Sequence, residues 1–250
     1  SKALVTDKTS AKTGMGKKAH MALKTTTSYM GCESFPLGLS LESQLPTGKG
    51  MAASTADIVA VIQAVATAID EELEPEEIAE IAAGIEPTDG IFYPGIVQMN
   101  YMTGELIKSY GNAPKMIIAM FDMGGSINTV EFHSEYHGHE DSPKELLEAI
   151  DQLDVDFSPR QIAHVATLSA LANQKLVPKP HLEEIIKYSA TLGALGVNVA
   201  HSGTMVGVLF APDESMKHVM EAVEKIREKF PELEYFETER LISGGYDIEQ

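Results

Sequence analysis

Apolar residues recur with helical spacing most clearly from Ala53 to about Asp70, where Ile58, Val61, Ile62, Val65 and Ile69 share one face of a 3.6-residue repeat. A second helix is predicted from Pro75, with Glu76 and Glu77 at the positive end of its dipole and an end near Gly84. Upstream, "GLSLESQLP" alternates like a strand that stops at Pro46, while the rest of residues 1–45 shows no clear period. "GIVQMNYMTGELIKSYG" reads as a hairpin turning at Thr103-Gly104, and the continuous apolar run "KMIIAMFD" as a buried strand opening a second unit. The junction is placed at Asn112 to Pro114, giving domains 1–113 and 114–250.

Beyond the junction, Ser142-Pro143-Lys144-Glu145 has the spacing of a capping box with proline at the first helical position. Ser158-Pro159 opens a helix from Arg160 to about Lys175, and another is predicted from His181 to Leu195, stopped by Gly196. "VNVAHSGTMVGVLF" is a strand, a turn and a strand, "DESMKHVMEAVEKIREKF" an amphipathic helix, and "LEYFETERLI" a last strand. Helices alternating with strands in two units make an α/β or α+β protein. No apolar run approaches the roughly 20 residues needed to cross a bilayer, so no membrane partner is expected.

Charge narrows the partners. The net charge of −18 is uneven: residues 1–50 carry seven Lys against three acids, and the remaining 200 carry 12 Lys and Arg against 34 acids. No broad basic surface is left to neutralise a nucleic-acid backbone. A small anion is still admissible where local dipoles, a lysine and a divalent cation offset the field. The single cysteine, Cys32, excludes an intramolecular disulfide, fits a reducing cytoplasm, and reads as a small buried residue rather than a nucleophile.

Three stretches could carry chemistry. "LPTGKGMAASTADI" runs through Gly48, Lys49, Gly50, Met51 and Ala52 into the helix starting at Ala53, whose first turn carries Ser54 and Thr55. It is not a Walker A loop, because Gly50 stands where Ser or Thr should follow the lysine. Small residues before a helix N-terminus nevertheless make an anion site, with hydroxyls suited to phosphate or Mg²⁺ and Lys49 to offset charge. An ordinary strand-to-helix turn with a hydroxyl cap is the competing explanation. "IEPTDGIFYPG" sets Glu86 and Asp89 three residues apart, able to hold Mg²⁺ or take a proton, or simply to end a helix in solvent. "NVAHSGTMVGVL" joins two apolar strands through His201, Ser202 and Gly203, either lining a ligand site or closing a tight hairpin. A fourth run, residues 131–141 with His133, His137 and His139, is read as a solvated loop rather than a metal site.

Taken together, these stretches resemble the GHMP kinase superfamily. Its phosphate loop, roughly Pro-x-Gly-x-Gly-Leu-Gly-Ser-Ser-Ala, is matched by Pro46 to Ala56, with Met51 for Leu and Ala52 and Ala53 where Gly and the first Ser usually stand. Within the superfamily, "GKGMAASTADI", "EPTDG", "ATLSALANQKLVPKP", "VNVAHSGTMVGVLF" and "ISGG" look like the branch of L-threonine kinases of cobalamin synthesis. The resemblance implies a two-domain α+β fold, with an S5-like N-terminal domain and a ferredoxin-like C-terminal one. It implies ATP and Mg²⁺ as cofactors and phosphorylation of the L-threonine hydroxyl, with homoserine or another alcohol, or an inactive nucleotide-binding relative, as alternatives. By position, Asp89 matches the catalytic aspartate, and Pro46, Gly48 to Thr55 the phosphate site. Ser54 and Glu86 would hold Mg²⁺, and His201, Ser202 and Gly203 form the third motif near the acceptor. A homodimer is carried as the assembly. The family's first motif, a Pro-Gly-Ser-Cys-Gly-Glu-like stretch, has no match, so the first N-terminal strands are expected to be missing from the chain shown.

Overall fold

The computed structural model describes residues 1–6, 12–125 and 142–248. The chain forms two compact units: Ser1–Pro46, Ala52–Asn112 and the stretch from Ser243 make the first, and Thr47–Met51 with Ala113–Ile242 make the second.

In the first unit, strands β1 (Lys2–Thr6), β2 (Lys12–Thr13) and β3 (Gly38–Glu42) form a sheet with β3 in the middle, antiparallel to β1 and parallel to β2. Helices α1 (Lys17–Tyr29), α2 (Ala53–Ala68) and α3 (Pro75–Ala83) share its core. The periodic face of α2 does what its spacing requires, with Ile58, Val61, Ile62 and Val65 at 0–1% exposure. Helix α3 starts with a capping box between Glu74 and Glu77, the Glu74 N–H donating to Glu77 Oε2 at 2.9 Å. The hairpin β4 (Ile96–Met99) and β5 (Leu106–Gly111) turns through Gly104, whose φ of +78° suits glycine; a Cβ there would also meet the Ala79 carbonyl oxygen at 2.7 Å. The C-terminal stretch completes this unit: Gly245 N–H donates to the Ile91 carbonyl at 3.1 Å and the Tyr246 hydroxyl to that of Leu73 at 3.3 Å.

Helix α1 carries no sequence signal strong enough to predict it. Its buried side is Ala19, Ala22, Leu23, Thr26 and Thr27, small and partly polar, and Gly16 gives it no side-chain cap. Cys32, in the turn behind it, is half-buried rather than buried.

In the second unit, β6 (Ile117–Asp122), β7 (Gly196–Val199), β8 (Met205–Phe210) and β9 (Glu234–Arg240) form an antiparallel sheet in the order β7-β8-β6-β9. With helices α4 (Lys144–Asp151), α5 (Pro159–Asn173), α6 (Leu182–Thr191) and α7 (Met216–Lys229) inserted after β6 and β8, this is the ferredoxin-like β-α-β-β-α-β plan. All six residues of β8 are buried, which explains its unbroken apolar run, and Val219, Val223 and Ile226 of α7 join the same core. Two expected boundaries move. Pro143, not Ser142, is the cap of α4, and no side chain caps it. Helix α6 ends at Thr191 instead of Leu195: Gly193, at φ +90°, turns the chain, and Leu195 N–H already pairs with the Leu209 carbonyl at 2.7 Å as the sheet edge begins. By contrast, Ser158 caps α5 as its sequence predicts, accepting from Gln161 N–H at 3.2 Å.

Candidate active site

In the first unit, the start of α2 and the loop after α3 are tied by side chains. The Ser54 hydroxyl donates to Glu86 Oε1, and the Lys18 ammonium of α1 donates to the Ser54 hydroxyl at 3.0 Å and pairs with Glu86 Oε2. The Glu86 carboxylate is largely buried, its side chain 14% exposed. One residue on, the Thr55 hydroxyl accepts from Asp89 N–H at 3.2 Å, and Thr88 N–H donates to the Tyr101 carbonyl at 2.8 Å. Thr55 and Thr88 are buried, while Asp89 is exposed. Ser54, Thr55, Glu86 and Asp89 therefore belong to one small polar cluster at the N-terminal end of α2, where free N–H groups point. Ala52, the helix's N-cap, holds φ +55°, a left-handed conformation that a non-glycine residue adopts only at a cost of about 1–3 kcal/mol. Pro46 ends the preceding segment of this unit, and Ala53 opens the helix.

The head of the loop, Thr47–Met51, packs in the second unit against the turn after β7. Gly48 and Gly50 have φ +75° and +77°. A Cβ on Gly203 would lie 2.1 Å from the Lys49 carbonyl oxygen, and one on Gly50 would lie 2.4 Å from Ala200 Cβ, so two glycines let the chains touch backbone to backbone. The Lys49 carbonyl accepts from the N–H groups of Thr204 at 3.1 Å and Met205 at 3.4 Å. Its ammonium pairs with Asp122 Oδ2 at 2.5 Å and donates to the Gly125 carbonyl at 2.7 Å. Asp122 Oδ1 accepts from the Thr204 hydroxyl at 2.6 Å and from Gly124 N–H at 3.0 Å. Burial works against the charge on Asp122, but the bonds from Lys49, Thr204 and Gly124 outweigh it and hold the carboxyl below its ordinary range. His201 is held from α5: Ser169 Oγ lies 3.1 Å from its Nε2, and Asn173 Nδ2 donates to its carbonyl at 3.2 Å. Ser202 is half-buried beside it and Gly203 buried.

Sequence reading names Ser54, Thr55, Glu86 and Asp89, and the structure gathers them; it names Lys49, Gly50, His201, Ser202 and Gly203, and the structure gathers those. It misses Lys18, for which a helix without period gives no signal, and Asp122, which the pattern of a strand ending in "FDMGG" could have flagged. It also misses Ser169 and Asn173, which sit in "LSALAN" of α5. Among the described residues no three His, Cys, Asp or Glu side chains cluster as a metal cage, and no helix is long and apolar enough to cross a membrane. The histidine-rich run 131–141 lies outside the described residues.

A glycine loop that leads along the chain into α2, and the hydroxyl–carboxylate pair Ser54–Glu86 at that helix's first turn, are features suited to a phosphotransferase. The family models agree: that of the GHMP kinases N terminal domain matches residues 17–92 and that of the GHMP kinases C terminal domain residues 144–229. The chain belongs to the GHMP kinases, phosphotransferases that use ATP and act on hydroxyl groups. Curated relatives are an L-threonine kinase of Citrobacter freundii, 24% identical over 84% of this chain and 75% of its own, and an L-threonine kinase of Salmonella typhimurium, 26% identical over 68% and 59%. Among solved structures, Streptococcus pneumoniae phosphomevalonate kinase in complex with phosphomevalonate and AMPPNP superposes with a TM-score of 0.68 at 11% identity, over 96% of this chain and 89% of that one. A homoserine kinase from Cytophaga hutchinsonii gives 0.59 at 15% identity, over 97% and 84%. At these identities the structures speak for the fold alone.

Proposed function

We propose that this chain transfers the terminal phosphoryl group of ATP to the hydroxyl of L-threonine, giving O-phospho-L-threonine for cobalamin synthesis. The observation that carries the reading is the cluster on the first turn of α2, where Ser54, Glu86 and Asp89 are fixed by hydrogen bonds to one another's segments. Phosphoryl transfer needs mainly positioning and charge stabilisation, and hydroxyls, carboxylates and oriented N–H groups supply them. Gly48 and Gly50, both at positive φ, give the loop the uncluttered backbone that a phosphate can approach closely. Ser54 and Glu86 are hard oxygen donors, one hydroxyl and one carboxylate, that here hold the Lys18 ammonium; the same donor set suits Mg²⁺, which keeps several waters and takes other ligands from phosphate, once Lys18 gives way. Mg²⁺, when bound there, supplies positive charge to the phosphate oxygens. Asp89 is exposed and bonded through its backbone N–H to Thr55, and in this reading its carboxylate accepts the proton of the acceptor hydroxyl.

L-Threonine is favoured because both curated relatives bear that activity in their names. L-Homoserine, another amino acid with a side-chain hydroxyl, is the alternative acceptor. Coupled ADP release with L-threonine, L-serine and L-homoserine as acceptors decides between them. The reading expects kcat/KM for L-threonine to exceed the others at least tenfold; a preference for L-homoserine overturns the acceptor, and release with none of them overturns the activity.

A further inference from the structure

The lysine of the glycine loop does not stand alone. It belongs to a knot of four segments in the second unit: the loop head, the end of β6, the turn before β8 and the glycine pair after β6. Asp122 is the common member. One of its oxygens takes the Lys49 ammonium, and the other takes the Thr204 hydroxyl and the Gly124 N–H. The Lys49 and Asp122 side chains are only 21% and 14% exposed, and Thr204 is 9% exposed, so the pair is shielded from water. An isolated carboxylate beside a phosphate loop would repel its ligand. Paired with Lys49 it leaves no net charge, and what remains is orientation: of the three N–H groups on the ammonium, one goes to Asp122 and one to the Gly125 carbonyl, leaving a single fixed direction.

We propose that Asp122 is a positioning residue for nucleotide binding, holding Lys49 and the loop head 47–51 on the "AHSG" turn so that one Lys49 N–H and the loop's backbone N–H groups are already aimed when a triphosphate arrives. The inference rests on the kinase reading above. Its physical basis is preorganisation: a long lysine loses rotamer freedom when it grips a phosphate, and Asp122 removes that cost beforehand. The same loop residues already touch the turn through the Lys49 carbonyl and the Gly50–Gly203 contact, so Asp122 fixes the side chain of a segment whose backbone is docked. The depressed titration of Asp122 fits a carboxylate that stays charged throughout the working range.

Calorimetric titration of the full chain with AMPPNP tests this, with Asp122→Asn, Lys49→Met and the double variant side by side. Asp122→Asn is expected to weaken AMPPNP binding about tenfold, Lys49→Met by a similar factor, and the double variant no further than the worse single one, because both changes remove one coupled element. Under turnover the KM for ATP should rise while the KM for the acceptor stays within twofold, a split that a general loss of folding would not produce. Should Asp122→Asn fail to fold, Thr204→Val removes a partner of the same carboxylate and is expected to weaken AMPPNP a few-fold. If wild type binds AMPPNP and the Asp122 or Thr204 variant binds it as tightly or more tightly, Asp122 is a competitor or a bystander and the inference falls while the kinase reading stands. Additive losses in the double variant overturn it equally. A wild-type chain that binds no AMPPNP overturns the kinase reading, and this inference with it.

Discussion

The loop "EPTDG" and the turn "AHSG" are both polar, both short, and held in opposite ways. In the first unit, shape comes from side chains reaching side chains and backbone: Ser54 to Glu86, Lys18 to both, Thr55 to the Asp89 N–H. In the second, it comes largely from side chains that are missing, since Gly50 and Gly203 let two backbones meet and the Lys49 carbonyl takes two N–H groups. A site held by functional groups spends those groups on its own architecture and can be altered one atom at a time. A site held by backbone contact does not tolerate added volume, and here one side-chain lock, Lys49 on Asp122, is set on top of that contact. Chemistry should therefore concentrate at the first and shape at the second.

The largest effect expected from this contrast is at Asp89. Asp89→Asn keeps size and the backbone bond to Thr55 but removes the proton acceptor, so turnover should fall by roughly 10²- to 10⁴-fold. AMPPNP affinity, measured in parallel, should change less than threefold; equal loss of both would make Asp89 a metal ligand instead. At the other region, Gly203→Ala puts a Cβ against the Lys49 carbonyl. The loop head must shift, and the KM for ATP should rise at least tenfold with a loss of about 1–3 kcal/mol in stability. Normal ATP kinetics in this variant would break the comparison, because the turn would then be holding nothing.

A buried charge elsewhere in the second unit gives an effect of similar size with the opposite sign. Lys179, between α5 and α6, is 3% exposed, and its ammonium makes no hydrogen bond among the described residues. Burial pushes its pKa down to about 8. The unfolded chain, with an ordinary lysine pKa near 10.4, binds more protons between those values, so stability gained from this group rises with pH across that window. Lys179→Met should accordingly stabilise the chain at pH 7, by on the order of 3 kcal/mol at most, and the gain should vanish above about pH 10.4. Urea unfolding at pH 7 and pH 10.5 checks both the sign and the window; a destabilised variant at pH 7 would mean the ammonium is needed. The smallest effect is at Ser54. Ser54→Ala removes one oxygen near Glu86 and should weaken AMPPNP a few-fold in the presence of Mg²⁺, with little change in melting temperature. A sharp drop in melting temperature with unchanged affinity would assign Ser54 to the architecture alone.

The elements that could be read from the chain are those whose burial is periodic or continuous. Helix α2 shows its face in Ile58, Val61, Ile62 and Val65, and β8 shows itself as an unbroken run because all six residues are covered. Helix α1 buries alanines and threonines, so its composition gives no period, and Lys18 went unseen with it. The end of α6 is ambiguous in sequence because two glycines, Gly193 and Gly196, compete for the stop signal and only the backbone angle tells which one turns. For the site, each stretch was legible as a local motif, since glycines, hydroxyls and carboxylates are visible in sequence. Their partners were not: Ser54 meets Glu86 across 32 residues and Lys49 meets Asp122 across 73, distances that no local spacing encodes.

Phosphorus NMR of the full chain with ATP, Mg²⁺ and L-threonine tests the central claim most directly. The account predicts that the γ-phosphate signal of ATP declines as a phosphomonoester signal matching authentic O-phospho-L-threonine grows in equal amount alongside ADP, and that wild type does this at least 10²-fold faster than Asp89→Asn. ATP left intact, or converted to ADP and inorganic phosphate with no phosphomonoester formed, would contradict it.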